Sequence, residues 1–157
     1  MTSQNSPLRI DIVSDVMCPW CVIGYRQLAT ALKDTGVEHE IHWHPFELNP
    51  NMPSEGQNMR EHLKEKYGAT PEQSAANRAH MTKTGDELGF SFKFSDDSRM
   101  HNTFNTHQLL HWADTQGRKH DLKQAFFEAH FTNGRDLSDD AVLVEIAAET
   151  GLDRATA

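Results

Sequence analysis

The residues best suited to chemistry are Cys18 and Cys21, the only two cysteines among 157 residues. They follow an apolar run over 8–13 and precede a stretch over 22–33 in which apolar residues recur at helical spacing. This pattern predicts that the pair lies where a strand passes into a helix. At a helix N-terminus, unpaired backbone N–H groups and the positive end of the helix dipole stabilise an anion. Cys18 is therefore predicted to be a thiolate and the attacking sulfur.

The spacing of the pair also allows the two sulfurs to react with each other. Pro19 suits the first helical turn because its φ is fixed and it has no N–H group. Cys21 follows Cys18 by three residues, returns to the same side of the helix, and allows a small disulfide to close. The pair could instead be half of a zinc site completed by histidines, or two inert buried thiols. A zinc knuckle usually brings a second ligand pair at regular spacing, and none is visible. The sequence favours a redox dithiol and predicts neither metal nor cofactor.

Three neighbours of the cysteines, Pro19, Trp20 and Asp15, are candidates to tune them or to contact substrate. Trp20 lies between the sulfurs, where an exposed ring could control access or contact a substrate, although a ring packed on the helix surface is the alternative. Asp15 could relay protons during thiol exchange. A Ser-Asp pair before a helix more often has a turn or capping role, and the sequence favours that role for Asp15.

Composition and charge argue against several classes of protein. A hydrophobic content of 37%, a charged content of 24% and a mean hydropathy of -0.67 are typical of a globular chain. No apolar run approaches the roughly 20 residues of a membrane span, so no membrane partner is expected. The formal charge of -8, with 15 basic residues scattered among 23 acids, argues against nucleic acid. The polar start over 1–7 lacks the features of a secretory signal and predicts a cytoplasmic protein, where a cysteine pair is seldom a structural staple.

The pattern of the chain predicts a βαβ unit followed by helices. A strand is predicted over 8–14, a helix ending near Gly36, and a second strand over 37–46, with a right-handed crossover. Prolines at 45, 50 and 53 direct the chain out of the sheet. The chain is therefore predicted to consist of a first part over 1–50 and a helical part over 51–157. The predicted helices of the second part are Asn58 to Lys66, Pro71 to Leu88, Ser98 to Thr115, His120 to Phe131 and Ser138 to Thr150.

Other residue groups have a functional and a structural interpretation. His42 and His44 share a face of the second strand, and His107 and His111 have the i,i+4 spacing of metal ligands. Without an acidic or thiol partner in the pattern, a strand surface is favoured for the first pair. A buried or interfacial position is favoured for the second. Core packing is predicted for an aromatic and methionine set: Phe126, Phe127, Phe131, Met59, Met81 and Met100.

Several of these motifs together resemble a known family. They are Ser14-Asp15, Cys18-Pro19-Trp20-Cys21, Gly24 and the stretch from Pro45 to Pro50, supported by Asn102-Thr103, His107 to Leu110, Ala125 to Phe127, Gly134 to Ser138 and Gly151 to Asp153. The set resembles the DsbA family of thiol:disulfide oxidoreductases, in its FrnE-like branch, over nearly the whole chain. The resemblance implies an α/β, thioredoxin-like βαβ unit with an all-helical insertion. It implies that Cys18 is the nucleophile, Cys21 the resolving thiol, and the partners protein or small-molecule thiols and disulfides.

The same branch also resembles a second class of enzymes. The 2-hydroxychromene-2-carboxylate isomerases are glutathione-dependent enzymes on a related thioredoxin-like scaffold with a helical insertion. Such enzymes hold glutathione near an activating hydroxyl, and here the corresponding place bears Cys18 with a second cysteine to resolve it. This difference favours redox work.

The chain also departs from the family pattern. The resemblance implies a C-terminal β-hairpin, opened by a cis-proline, and a final helix after the insertion. Prolines occur here only at 7, 19, 45, 50, 53 and 71, and the sequence stops at Ala157. We therefore expect a sheet of two parallel strands that lacks the antiparallel pair. Such a chain should be poorly stable alone or should pair its open sheet edge with another chain, as in a homodimer.

Overall fold

Two parallel strands joined by one helix form the first part of the molecule, whose computed structural model describes residues 6–157. Strand β1, Leu8–Ser14, pairs with strand β2, His39–Pro45, in a register that sets Leu8 opposite His39 and Ser14 opposite Pro45. Helix α1, Pro19–Thr35, connects them. The predicted βαβ unit is therefore confirmed. Part of the polar N-terminal segment, at positions 1–5, lies outside the described residues.

Both ends of α1 follow from the residues that the sequence places there. Cys18 is the N-cap, with φ -93° and ψ 110°, and Pro19 follows at the first helical position. Gly36 ends the helix at φ +65°, a conformation that glycine adopts without a Cβ penalty, and donates its N–H to Leu32 O at 3.0 Å. The N-cap places the first turn of α1, and with it both cysteines, just after the carboxyl end of β1, and Gly36 ends the helix before β2.

The second part contains five helices in succession. They are α2, Met59–Tyr67; α3, Pro71–Glu87; α4, Phe104–Thr115; α5, Lys119–Phe131; and α6, Asp140–Glu149. The predicted start of α3 is confirmed in detail, since Thr70 and Gln73 form a reciprocal capping box before Pro71. Among the described residues, no helix combines the length and the apolar character needed to cross a membrane.

One predicted helix begins later than its sequence pattern indicated. The helix expected from Ser98 begins at Phe104, because Arg99–Met100 forms strand β4 and pairs antiparallel with strand β3, Gln57–Asn58. Asn102 holds the intervening loop by donating to Met52 O at 2.9 Å and accepting from the Phe104 N–H at 3.0 Å. The helical part therefore carries a two-stranded ladder that the periodicity did not reveal.

The core includes the predicted aromatic and methionine set. All six of its members are buried, with Phe126 and Phe127 completely enclosed. Phe127 on α5 packs edge-on against Trp43 on β2, with ring centroids 6.2 Å apart. The cluster around them also contains Val22 and Ile23 of α1. Helix α5 is thus packed directly against the strand and helix that position the cysteines.

A substitution at Gly85 on α3 tests the packing of this aromatic cluster, because Gly85 lies against two of its members, Phe90 and Phe92. A Cβ added at Gly85 would lie 2.7 Å from the carbonyl oxygen of Phe90 and would overlap the ring of Phe92. We expect Gly85→Ala to lower the free energy of unfolding by roughly 1–3 kcal/mol through overpacking, despite the better helix propensity of alanine. Gly24→Ala on α1 is the matched control, because its added Cβ would meet no atom within 4 Å other than its chain neighbours and the backbone of its own helix. The control should be neutral or stabilising by up to about 1 kcal/mol. Urea titration of both variants measures the difference, and equal stabilisation would contradict the packing described here.

Candidate active site

The two cysteines lie in the first turn of α1, both as half-buried free thiols. The N–H of Cys21 donates to the backbone oxygen of Cys18 at 3.1 Å, which closes the turn that brings the side chains together. Pro19 occupies the first helical position as expected, and the Trp20 side chain is 53% exposed between the two sulfurs. The Trp20 ring also lies near His80 of α3, with ring centroids 6.1 Å apart, so its role in access or substrate contact stays a prediction.

The environment of Cys18 favours its thiolate. A hydrogen bond from the Cys21 thiol, together with the backbone N–H groups of Cys21 and Trp20, lowers the pKa of Cys18 to about 7 against the opposing effects of burial and of the Asp15 charge. The N–H groups belong to the exposed start of the helix, as the sequence predicted. The largest single cause of the lowered pKa is not the helix N-terminus, however, but the hydrogen bond from the Cys21 thiol.

Cys21 responds in the opposite direction. Its hydrogen bond to Cys18, burial and the Cys18 charge all raise the pKa of Cys21 well above the ordinary range for a thiol. The two residues therefore share one proton, and Cys21 holds it. At neutral pH the pair consists of one reactive sulfur and one protonated donor.

Asp15 is buried beneath this pair, with a relative exposure of 2%. One carboxylate oxygen accepts the N–H of Leu48 at 2.9 Å, and the other accepts the N–H of Met17 at 3.5 Å. The contact with Met17 is the turn role favoured from sequence. Cys18 has no side-chain cap, so Asp15 does not cap α1, and its tie to Leu48 instead joins the two loops that follow β1 and β2.

His107 on α4 is a site residue that the sequence did not single out for this role. Its Nε2 atom lies 3.4 Å from Asp15 Oδ1 and 3.1 Å from the backbone oxygen of Phe46. Burial acts to raise the pKa of Asp15, but hydrogen bonds from His107 and the Leu48 N–H outweigh it and leave that pKa below its usual value. His111, one turn later, is exposed. A partly buried or interfacial position was predicted for both histidines, which is confirmed for His107 and wrong for the exposed His111.

Lys123 on α5 is the second residue that the sequence did not identify. It is 1% exposed, and its ammonium lies 5.4 Å from the ring centroids of both Trp43 and Phe127. Burial lowers the pKa of Lys123 to about 8, although Asp15 and the two cysteines act to raise it. The available signal was its i,i+4 spacing to Phe127, which places both on one helix face.

An apolar cleft of about 380 Å³ opens at Cys18. The βαβ unit contributes Met17, Pro19 and Trp20, whereas α2, α3 and their connections contribute methionines and aromatic rings. The larger lining set includes Met59, Leu63, Tyr67, Met81, Phe94 and Met100. Lys66 at its rim is already bonded to Leu48 O at 3.1 Å and to Asn49 Oδ1 at 2.9 Å. The cleft therefore offers apolar surface directly beside the reactive sulfur.

The histidines of β2 lie away from this site. His44 Nε2 is 2.7 Å from Asp11 Oδ1, and His42 Nε2 is 3.4 Å from Glu40 Oε2, in exposed side-chain contacts. The sequence interpretation that these histidines have no acidic partner was wrong, because the parallel register places Asp11 opposite His42 and next to His44. Over residues 6–157, no group of three or more His, Cys, Asp or Glu side chains is placed to hold a metal ion.

The shared proton predicts how Cys18 reacts with pH. In the reduced protein, the alkylation rate of Cys18 should have a midpoint near pH 7, falling below it as the thiolate is protonated. Cys21→Ala removes the donor and should move the midpoint upward by about one to two pH units, the equivalent of a charged hydrogen bond. Cys21→Ser keeps an O–H donor and should move it less. Rates measured with iodoacetamide between pH 5 and pH 9 test this, and a wild-type midpoint near the ordinary thiol value of about 8.5 would contradict it.

Known proteins match both this fold and nearly the whole chain. The chain is 33% identical to a Streptomyces coelicolor protein whose crystal structure is described as that of a probable DsbA oxidoreductase. That match covers 95% of this chain and 65% of the other, with a TM-score of 0.86. The uncharacterized protein YwbO of Bacillus subtilis is 27% identical over 149 residues, covering 95% of this chain and 69% of that protein. The cytosolic disulfide reductase DsbM of Pseudomonas aeruginosa shares the fold at 20% identity and a TM-score of 0.59, covering 92% of this chain and 65% of that one.

This chain thus spans about two thirds of the length of the relatives it matches. The model of the DSBA-like thioredoxin domain family matches residues 9–157, which include every site residue described above. The fold predicted from the cysteine motif and its surroundings is confirmed by these matches. The chain belongs to the DSBA-like thioredoxin domain family.

Proposed function

We propose that this chain carries the reactive centre of a thiol:disulfide oxidoreductase that works through Cys18 and Cys21. One observation carries the proposal: a half-buried thiol at a helix N-terminus, with its pKa lowered to about 7, has a protonated thiol one turn away. A thiolate attacks disulfides, and a neighbouring thiol can then release the product. Family membership and the likeness to a DsbA oxidoreductase support the same assignment.

The reaction proceeds in two exchanges. The Cys18 thiolate attacks one sulfur of a substrate disulfide, forms a mixed disulfide and releases the other substrate sulfur as a thiolate. Cys21 then loses its proton and attacks the Cys18 sulfur, which forms the Cys18–Cys21 disulfide and releases the second substrate thiolate. The reverse sequence oxidises a substrate dithiol. Stabilisation of the Cys18 thiolate favours the reduced enzyme, because the same thiolate is also the better leaving group.

The cleft supports thiols and disulfides of proteins or peptides as substrates. Its methionines and aromatic rings offer adaptable apolar contact beside Cys18, and its rim cation, Lys66, is already held by two protein oxygens. A small thiol that depends on ionic contacts finds few free charged partners in such a lining. An extended peptide can place an apolar side chain there while its sulfur reaches Cys18.

Single cysteine variants separate the two roles. We expect Cys18→Ser to abolish reduction of a disulfide-bonded peptide, because the attacking sulfur is lost. Cys21→Ser should still attack and should accumulate a mixed disulfide, because the intramolecular release is lost. Non-reducing electrophoresis and intact-mass measurement of each variant after incubation with the peptide detect the adduct. Equal loss of activity in both variants without any adduct would contradict the proposed roles.

A further inference from the structure

The burial of Lys123 calls for an electrostatic explanation. Moving an ammonium into the interior costs several kcal/mol unless an opposite charge or hydrogen bonds compensate. Within residues 6–157, Lys123 forms no ion pair with a carboxylate, in contrast to Lys119 one turn earlier, which reaches Asp114 at 4.0 Å. The ammonium lies over the faces of Trp43 and Phe127, 5.4 Å from each ring centroid. These rings offset part of the desolvation cost through cation–π attraction.

The position of Lys123 connects it to the cysteine pair. Cys21 packs against the hydrophobic cluster that contains Trp43 and Phe127, and these are the two rings that the ammonium faces. The negative groups that act on Lys123 are, in decreasing order, Asp15, Cys21 and Cys18. Two of these three are the reacting sulfurs.

Other titratable side chains also face Lys123 or its cavity. A cavity of about 30 Å³ beside Lys123 is lined by His44 of β2, His107 and His111 of α4, and Lys119 of α5. That volume has room for about one water molecule beside Lys123. Lys119 acts against the charge on Lys123, as expected for two cations on one helix.

A positive charge near Cys21 would favour the resolving step. Cys21 must become a thiolate to attack the mixed disulfide, yet burial raises its pKa. Once Cys18 is bonded to substrate, its negative charge and its hydrogen bond to Cys21 are gone. The groups that then favour the Cys21 thiolate are the backbone N–H of Asp15 and the charge of Lys123.

We propose that the ammonium of Lys123 stabilises the Cys21 thiolate during resolution, which makes Lys123 a positioning residue for the second exchange. This inference rests on the proposed function. In that step Cys21 gives its proton to solvent, its sulfur bonds to Cys18, and the bond between Cys18 and the substrate sulfur breaks. The substrate leaves as a thiolate, so the enzyme dithiol is oxidised and the substrate disulfide is reduced. Lys123 exchanges no atom, and at pH 7, below its pKa of about 8, it is mostly protonated.

The aromatic disulfide dithiobis-nitrobenzoate separates the two exchanges in one experiment. Attack by Cys18 releases one coloured thionitrobenzoate, and attack by Cys21 on the mixed disulfide releases a second. Stopped-flow absorbance from pH 6 to pH 10 gives a rate for each phase in wild type, Lys123→Met, Lys123→Gln and Lys119→Met. Lys119→Met is the matched control, since it removes the same charge from the same helix at a partly exposed site.

We expect Lys123→Met to slow the second phase by about tenfold at pH 7, the effect of roughly 1.4 kcal/mol on the barrier, and to change the first phase much less. Its second-phase rate should approach that of wild type at high pH, because a lost charge displaces the pH profile whereas a structural defect lowers the rate at every pH. Lys123→Gln should behave in the same way, and Lys119→Met should resemble wild type. Replacing a buried charge by an apolar side chain of similar length is often neutral or stabilising, so Lys123→Met should fold.

Two outcomes would overturn the inference in distinguishable ways. Two normal phases in wild type, with an unchanged second-phase profile in both Lys123 variants, would refute the role of Lys123 and leave the proposed function intact. Release of only one thionitrobenzoate by wild type would refute the proposed function, and the role of Lys123 with it.

Discussion

The hydrogen bond between the Cys21 thiol and the Cys18 sulfur is the interaction on which the site depends. It is the largest cause of the lowered pKa of Cys18 and also of the raised pKa of Cys21. One contact therefore produces two unlike sulfurs from two identical side chains. The contact exists because Cys18 ends the extended chain while Cys21 lies within the helix, a geometry that the fixed φ of Pro19 supports.

Side chains of the helical part pack around the residues next to this cysteine pair. Helix α4 supplies His107, which holds Asp15 in place, and helix α5 supplies Lys123 and the ring of Phe127. Asp15 and Lys123 carry opposite charges beneath the same pair of sulfurs. Their influence on the site is also opposite: the Asp15 charge raises the pKa of Cys18, whereas the Lys123 charge lowers that of Cys21. The helical part thus contributes the charge of Lys123 to the reactive centre as well as a wall to its cleft.

The sequence was sufficient where the signal is local. Strand β1, the caps of α1 and the capping box at Thr70 follow from short-range chemistry, and each was predicted at or near its observed position. The pairing of β4 with β3 was not predictable in this way, because two-residue strands separated by about 40 positions leave no periodic pattern. The same reason applies to His107 and Lys123. Asp15, the partner of His107, and Trp43, one of the two rings at Lys123, lie on other elements, and a polar residue on a helix is normally assigned to its exposed face.

The reduction potential of the Cys18–Cys21 pair tests the central claim most directly. The protein would be equilibrated in glutathione redox buffers, and the oxidised fraction measured by intact mass after the free thiols are alkylated. Because thiolate stabilisation favours the reduced form, the account predicts a Cys18–Cys21 disulfide with a potential between about -270 and -120 mV, the range from thioredoxin to the strongest oxidant of this kind. A potential below about -300 mV, as in structural disulfides, or failure to form the disulfide at all, would contradict it.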